Sequence, residues 1–192
     1  MTSFSVVIPT LRRPDALRRA IESLFACAPL PDEIVVVDGD SEGSARDVVE
    51  PLASAPSPCR LIYLTSETGS TTQRNRGIDA CTGDVIVFFD DDVVVDAEIF
   101  AHFAAAYRDT ELVGVTGRVQ GSEQQRRLAG VNSFVRRWLT GSDRHGSFTR
   151  SGHPRYLVDL DREHDVERQN GCLMSSRREA AALTRFDELL TG

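Results

Sequence analysis

The sequence contains no lysine: all 22 of its cationic side chains are arginine. A phosphate loop of the G-x-x-x-x-G-K-[ST] type, which needs that lysine, is excluded. No run approaches the ~20 apolar residues of a membrane-spanning helix. Met1-Thr-Ser-Phe-Ser-Val-Val-Ile-Pro enters a strand-like run without the basic and apolar regions of a signal peptide. These absences predict a cytoplasmic protein. Cysteine is sparse: Cys27, Cys59, Cys81 and Cys172 form no C-x-x-C pair, which argues against a zinc cluster or disulfide framework and for free thiols. Positive charge is not in surplus either. At a formal net charge of −7 the basic footprint of nucleic-acid binding is missing.

What is present suits one α/β domain: 192 residues, 41% of them hydrophobic and 27% charged. Ser5-Val-Val-Ile-Pro9 reads as a strand, followed by a helix opening at Pro14-Asp15 with Leu17, Ile21, Leu24 and Phe25 on one face. The pattern recurs. Residues 33–38 form a run apolar on both faces, as in a buried parallel strand, and residues 44–50 a short helix stopped by Pro51. Further strands are expected over 60–65, 85–89 and 113–119, with helices over 70–81 and 97–108. Strands alternating with helices predict a mostly parallel, Rossmann-like sheet with helices on both faces.

From Gln120 the composition shifts to Arg, Ser, Gly and His, which divides the chain into a core over 1–119 and a second region over 120–192. Val131, Phe134, Val135, Trp138 and Leu139 form an amphipathic stripe near the Arg pairs at 126/127 and 136/137. It fits a helix packed on its own core, or one that lies on a membrane surface or binds a partner, so peripheral association with the inner membrane face stays open. An apolar segment at Cys172-Leu-Met174 and a helix over 178–183 follow.

In open parallel sheets ligands bind beyond the carboxyl ends of the strands. Three such ends carry polar chemistry: Pro9-Thr10-Leu11-Arg12, Asp38-Gly39-Asp40-Ser41 and Asp90-Asp91-Asp92. The triple Asp is the most informative. Two unit charges ~4 Å apart repel by about 4 kcal/mol at an effective dielectric near 20, so a cation or good solvation is needed. If the strand continued, Asp90 and Asp92 would point the same way and Asp91 the other. Carboxylate oxygens are hard ligands suited to Mg²⁺ or Mn²⁺, with a phosphate completing the shell. The alternative is a solvated acidic turn ahead of the next helix.

Gly69-Ser-Thr-Thr-Gln-Arg-Asn-Arg-Gly77 places small residues at a helix start, where free N–H groups and the dipole favour an anion. Arg74 or Arg76 could reach a phosphate; for Arg74 the competing role is an ordinary salt bridge. Asp38 could accept bonds from a base or ribose, or cap the loop Gly39 to Ser44. His102, His145, His153 and His164 lack ligand spacing.

Taken in order, Val-Val-Ile-Pro-Thr, Ile-Val-Val-Val-Asp-Gly-Asp-Ser, Gly-x4-Arg-Asn-Arg-Gly-Ile and Thr-Gly-Asp-Val-Ile-Val-Phe-Phe-Asp-Asp-Asp resemble glycosyltransferase family 2, the large group with the GT-A fold. The resemblance implies transfer of a sugar from a nucleoside diphosphate sugar to a hydroxyl of a glycan, lipid-linked or small-molecule acceptor, with inversion and a Mn or Mg cation. It implies that Pro9, Thr10 and Arg12 line the nucleotide pocket, that Asp38 contacts the base and that Arg74 helps hold the nucleotide. Asp90, Asp91 and Asp92 would contact ribose and metal, with Asp92 the direct ligand, Asp90 beside it and Asp91 nearer the ribose.

The segment from Asn170 to Gly192 resembles the part leading to the acceptor side, with Asp187 and Glu188 in a structural Phe-Asp-Glu stretch. The family's catalytic base is expected beyond Gly192, which predicts an incomplete chain. Three rivals remain. A nucleotidyltransferase would carry a Gly-rich, basic loop after the first strand, where Leu11-Arg12-Arg13-Pro14 stands instead. An Asp-nucleophile phosphatase would need a D-x-D there. A module that binds a sugar nucleotide without turnover needs neither.

Overall fold

A computed structural model describes residues 2–54, 56–117, 165–166, 169 and 171–190. The stripe from Val131 to Leu139, its flanking Arg pairs, and His145, His153 and His164 lie outside the described residues. The elements run β1 (Phe4–Thr10), α1 (Pro14–Phe25), β2 (Glu33–Asp38), α2 (Arg46–Ser54), β3 (Arg60–Thr65), α3 (Ser70–Ala80), β4 (Val85–Phe89), α4 (Ile99–Ala106), β5 (Gly114–Thr116), β6 (Leu173–Arg177) and α5 (Arg178–Leu183). The strands form one sheet in the order β3-β2-β1-β4-β6-β5. The chain makes two compact units, Met1–Val115 with Met174–Gly192, and Thr116–Leu173.

The first four strands are parallel, with Val7 opposite both Val35 and Phe88, and Val35 opposite Ile62. Both faces of β1, β2 and β4 are buried, which is why their sequences are apolar without alternation. The period of two then sorts the helices between the faces. Phe4 packs on Phe100 of α4, with ring centroids 5.5 Å apart. Val7 points the other way, into a cluster with Val35, Val37, Ile78 of α3, Phe88 and Ala181 of α5. Helix α1 is amphipathic as expected and buries Leu17, Ala20, Ile21 and Leu24; each large aliphatic contributes roughly 1.5–3 kcal/mol.

Glycine makes one of these contacts possible. A Cβ at Gly77 would lie 2.3 Å from Val7 Cγ1, so α3 approaches β1 only because position 77 has no side chain. A buried carboxylate ties the far ends of the strands together. Glu33 is 2% exposed. It accepts from Ser5 Oγ at 2.6 Å, the Thr82 N–H at 2.6 Å, Thr82 Oγ1 at 3.0 Å and Arg60 Nη1 at 3.2 Å. Burial pushes its pKa up, but these donors outweigh that and hold it below the ordinary glutamate value.

Three elements depart from the sequence expectation. Helix α2 begins at Arg46 and carries Pro51 inside it rather than ending there. Pro51 is exposed and forfeits only its own bond to the preceding turn, while Val48 and Val49 bury the helix face. The segment at Leu173–Arg177 is a strand within the sheet, between β4 and β5. It runs against β5, with the Arg177 N–H on Val113 O at 2.9 Å and Ser175 Oγ on Val115 O at 2.9 Å. Helix α4 is shorter than expected, because turns over Asp96–Ile99 and Ala106–Asp109 replace its ends. All four cysteines are free, with Cys27 and Cys81 buried. Among the described residues no helix is long and apolar enough to cross a membrane.

Candidate functional site

The carboxyl ends of β1, β2 and β4 meet at one edge of the sheet, and Pro9 helps to open it. The β1–β4 register ends at Val7 opposite Phe88, so Pro9, which has no N–H to offer, lies beyond the last pair. Past it, β1 continues to Thr10 while β4 ends at Phe89. Thr10 Oγ1 donates across the gap to Asp91 Oδ2 at 2.8 Å, and both residues are buried.

The chain turns at once after β4, with the Val93 N–H on Asp90 O at 3.2 Å. Strand alternation therefore holds for one step only. Asp90 follows Phe88 toward the α3 face, where Arg74 Nη2 donates to its Oδ1 at 2.8 Å. Asp91 turns to the opposite side, toward Thr10. Asp92 does not rejoin Asp90, as an extended strand would require; it turns to Arg13, whose Nη1 lies 3.3 Å from both Asp91 Oδ1 and Asp92 Oδ2. The three carboxylates differ in exposure: the side chain of Asp91 is 7% exposed, Asp90 36% and Asp92 59%.

Burial raises the pKa of Asp90; Arg74 opposes the shift, while Asp92 and Asp91 add to it. A cation would relieve that repulsion, and the hard oxygens of Asp92 and Asp90 have the right chemistry to hold one. Among the described residues no three Asp, Glu, His or Cys side chains converge into a complete ligand set.

The remaining expected residues sit beside this cluster. Arg12 has φ 56°, in the left-handed region that non-glycine residues enter at a cost of roughly 1–2 kcal/mol. Its Nη2 reaches Asp40 Oδ1 at 3.3 Å. Asp38 is fully buried. Its Oδ1 accepts from the Asp40 N–H at 2.9 Å, and its Oδ2 from the Ala45 N–H at 2.9 Å and Tyr63 Oη at 3.0 Å. Of the two roles open to Asp38, capping its own loop is the one these bonds fill. Asp187 Oδ1 accepts from the Leu189 N–H at 3.0 Å, and Glu188 Oε1 from Asn75 Nδ2 at 2.8 Å, so both carboxylates serve the C-terminal segment.

Four contributors were not singled out in the sequence. Arg13 shares the turn with Arg12, and the adjacent cations after β1 were the available signal. Gln73 is buried and ties together the carboxyl ends of β1 and β2, donating from Nε2 to Thr10 O at 2.8 Å and Val37 O at 2.7 Å. Asn75 and Phe186 pair across 111 positions. No local pattern announces that contact.

The profile described as "Glycosyl transferase family 2" matches residues 5–181. The glycosyltransferase alr2836 of Nostoc sp. is 32% identical over 112 residues, 58% of this chain and 34% of that protein. The succinoglycan biosynthesis protein ExoM of Rhizobium meliloti is 29% identical over 143 residues, 72% of this chain and 43% of that one. In three dimensions the chain is similar to the mannosyltransferase PcManGT of Pyrobaculum calidifontis, solved with GDP-Man and Mn²⁺. The TM-score is 0.69 at 16% identity, over 97% of this chain and 48% of that one. At that identity the likeness bears on the fold. The chain thus spans between about a third and a half of the length of these proteins.

Proposed function

Since the chain belongs to glycosyl transferase family 2, we propose that its strand-end cluster binds a nucleoside diphosphate sugar for inverting, metal-dependent transfer to an acceptor hydroxyl. The observation that carries this reading is the meeting of Asp90, Asp91 and Asp92 with Arg74, Thr10 and Arg13 beyond β1 and β4. Such a set, with two guanidinium groups beside three carboxylates, accommodates a diphosphate together with a cation.

Asp92, the most exposed of the three, and Asp90 would hold a divalent cation, Mn²⁺ or Mg²⁺. When bound, that ion supplies Lewis-acid stabilisation of the charge that grows on the departing diphosphate. Asp91, anchored by Thr10, faces the ribose. Arg74 orients Asp90 and lies within reach of the phosphates. The loop that Asp38 caps, together with Pro9, Thr10 and Arg12, forms the nucleotide side of the pocket. Asp38 serves base recognition by holding Gly39 to Ser44 in place.

The acceptor hydroxyl, of a glycan, lipid-linked or small-molecule substrate, attacks the anomeric carbon opposite the leaving group. Neither Asp187 nor Glu188 is assigned the base that takes its proton, because both are committed to the segment they belong to.

Calorimetric titration with UDP, GDP and dTDP, with and without Mn²⁺, tests the reading on wild type and Asp92→Asn. Binding of one nucleotide that strengthens with Mn²⁺ and weakens in the variant is expected. Binding indifferent to both would sink it. Donor hydrolysis measured on the same samples separates a transferase from a module that binds without turnover.

A further inference from the structure

Asn75 follows Arg74 on α3 and is 4% exposed. Its amide is spent on the segment after α5. Oδ1 accepts from the Phe186 N–H at 3.0 Å, while Nδ2 donates to Phe186 O at 2.9 Å and to Glu188 Oε1 at 2.8 Å. An amide that both donates to and accepts from the backbone of one residue fixes that residue's orientation as well as its position. The residue so fixed is Phe186. Its ring stands edge-on to Phe88, with centroids 5.2 Å apart and planes at 82°. On its other contact, the guanidinium carbon of Arg74 lies 5.6 Å from the ring centroid, within the range of a cation–π attraction.

Adjacent helical residues point about 100° apart, so Arg74 and Asn75 hold the same Phe186 from two directions. Arg74 then donates to Asp90 at 2.8 Å. Phe88, which the ring also touches, precedes Asp90 by two positions on the same strand face. Both contacts of the ring therefore lead to the same carboxylate.

We propose that Asn75 is a positioning residue for the carboxylate site: by clamping Phe186 it sets Arg74 and, through it, Asp90. Seating of the C-terminal segment and readiness of the donor site are then one event. The functional half of this rests on the reading of Asp90 to Asp92 as the donor site; the clamp itself does not. A second tie serves as the control. Arg185 pairs with Asp79, one turn further along α3, holding the same segment at an exposed point away from Arg74.

The test uses the full chain, with the Arg74 Nε–H resonance followed by NMR and UDP or GDP binding followed by calorimetry with Mn²⁺. In Asn75→Ala the ring-current shift on Arg74 is lost and nucleotide affinity falls about tenfold, the lower end of what removing an outer supporting partner costs. Asn75→Asp, which sets two carboxylates face to face, does the same, and adding Glu188→Gln restores part of both readouts. Asp79→Asn leaves both at wild-type values. Phe186→Leu keeps the clamp but removes the ring, and it moves the Arg74 resonance even if Asn75→Ala fails to fold. An unchanged resonance and affinity in Asn75→Ala would overturn the proposal, as would an Asp79→Asn variant that loses as much. If wild type binds none of UDP, GDP and dTDP, the donor-site reading fails, and the Arg74 resonance alone decides the clamp.

Discussion

Arg74 on α3 and Asp90 beyond β4 are joined at 2.8 Å, a shorter ion pair than either that Arg13 makes with Asp91 and Asp92 at 3.3 Å. Arg74→Met keeps an unbranched apolar stem and removes the guanidinium with its charge. Asp90 is then left beside Asp91 and Asp92 with a repulsion that Arg74 had offset. Because Asp90 is partly exposed, the stability loss is about 1 kcal/mol, well below that of a fully buried pair. The loss in nucleoside diphosphate affinity is larger, roughly tenfold or more. Denaturant melts and calorimetry on the same preparation measure the two; affinity equal to wild type would remove Arg74 from the donor site.

Gly77 carries a different kind of constraint. With Val7 Cγ1 only 2.3 Å from where a Cβ would stand, Gly77→Ala must push α3 away from β1 or distort Val7. Overpacking of this sort costs typically 1–3 kcal/mol, more than the helix propensity gained from alanine. A lowered denaturation midpoint with unchanged m-value is expected. The double variant Gly77→Ala/Val7→Ala should recover part of the loss, since it vacates the contested volume.

That glycine also marks where the sequence was informative and where it was not. The apolar runs of β1, β2 and β4 and the stripe of α1 declare themselves through periodicity, because burial selects side chains locally. Gly77 read as part of a phosphate-facing start to α3, whereas it lies deep in the helix and serves packing. Strand β6 was not readable, since Leu-Met-Ser-Ser-Arg alternates weakly and its partners come from far along the chain. At the site, the three aspartates at a strand end were legible. The sharing of Arg13 by Asp91 and Asp92 was not, because a turn beginning at Asp90 overrides the strand period. Capping of the loop by Asp38 was one of its two readable roles, whereas the bond from Tyr63 was not, because Tyr63 lies 25 positions away on β3.

Glu33 gives the acid response of the fold. Its pKa is held below the ordinary glutamate value of 4.5 in the folded protein. For a carboxylate depressed by folding, the unfolded chain binds the proton more readily. The stability it contributes is therefore full above that ordinary value and is lost as pH falls through the folded pKa. Glu33→Gln cannot accept from Ser5, Thr82 and Arg60 as a carboxylate does, and should cost about 1–3 kcal/mol at pH 7. The gap between variant and wild type should narrow as pH drops from 5 toward 3. Melts across that range check it; a gap that stays constant would show that the charge of Glu33 is not what the four donors stabilise.

Arg13 screens the exposed side of the cluster, its Nη1 being 3.3 Å from an oxygen of each of Asp91 and Asp92. As its side chain is 60% exposed, these ion pairs contribute less than about 1 kcal/mol to folding, and Arg13→Gln should melt close to wild type. Cation affinity should respond differently. A divalent ion approaching Asp92 meets a carboxylate already partly neutralised, and removing that competitor should tighten bare Mn²⁺ binding by about threefold to tenfold, roughly 0.7–1.4 kcal/mol. Because Arg13 and Asp92 are both exposed, the gain should be larger at low salt and shrink as added salt takes over the screening. Titration of Mn²⁺ followed by electron paramagnetic resonance at two salt concentrations measures this directly. An Arg13→Gln protein that binds Mn²⁺ no more tightly than wild type at low salt would show that the guanidinium and the cation do not share a site.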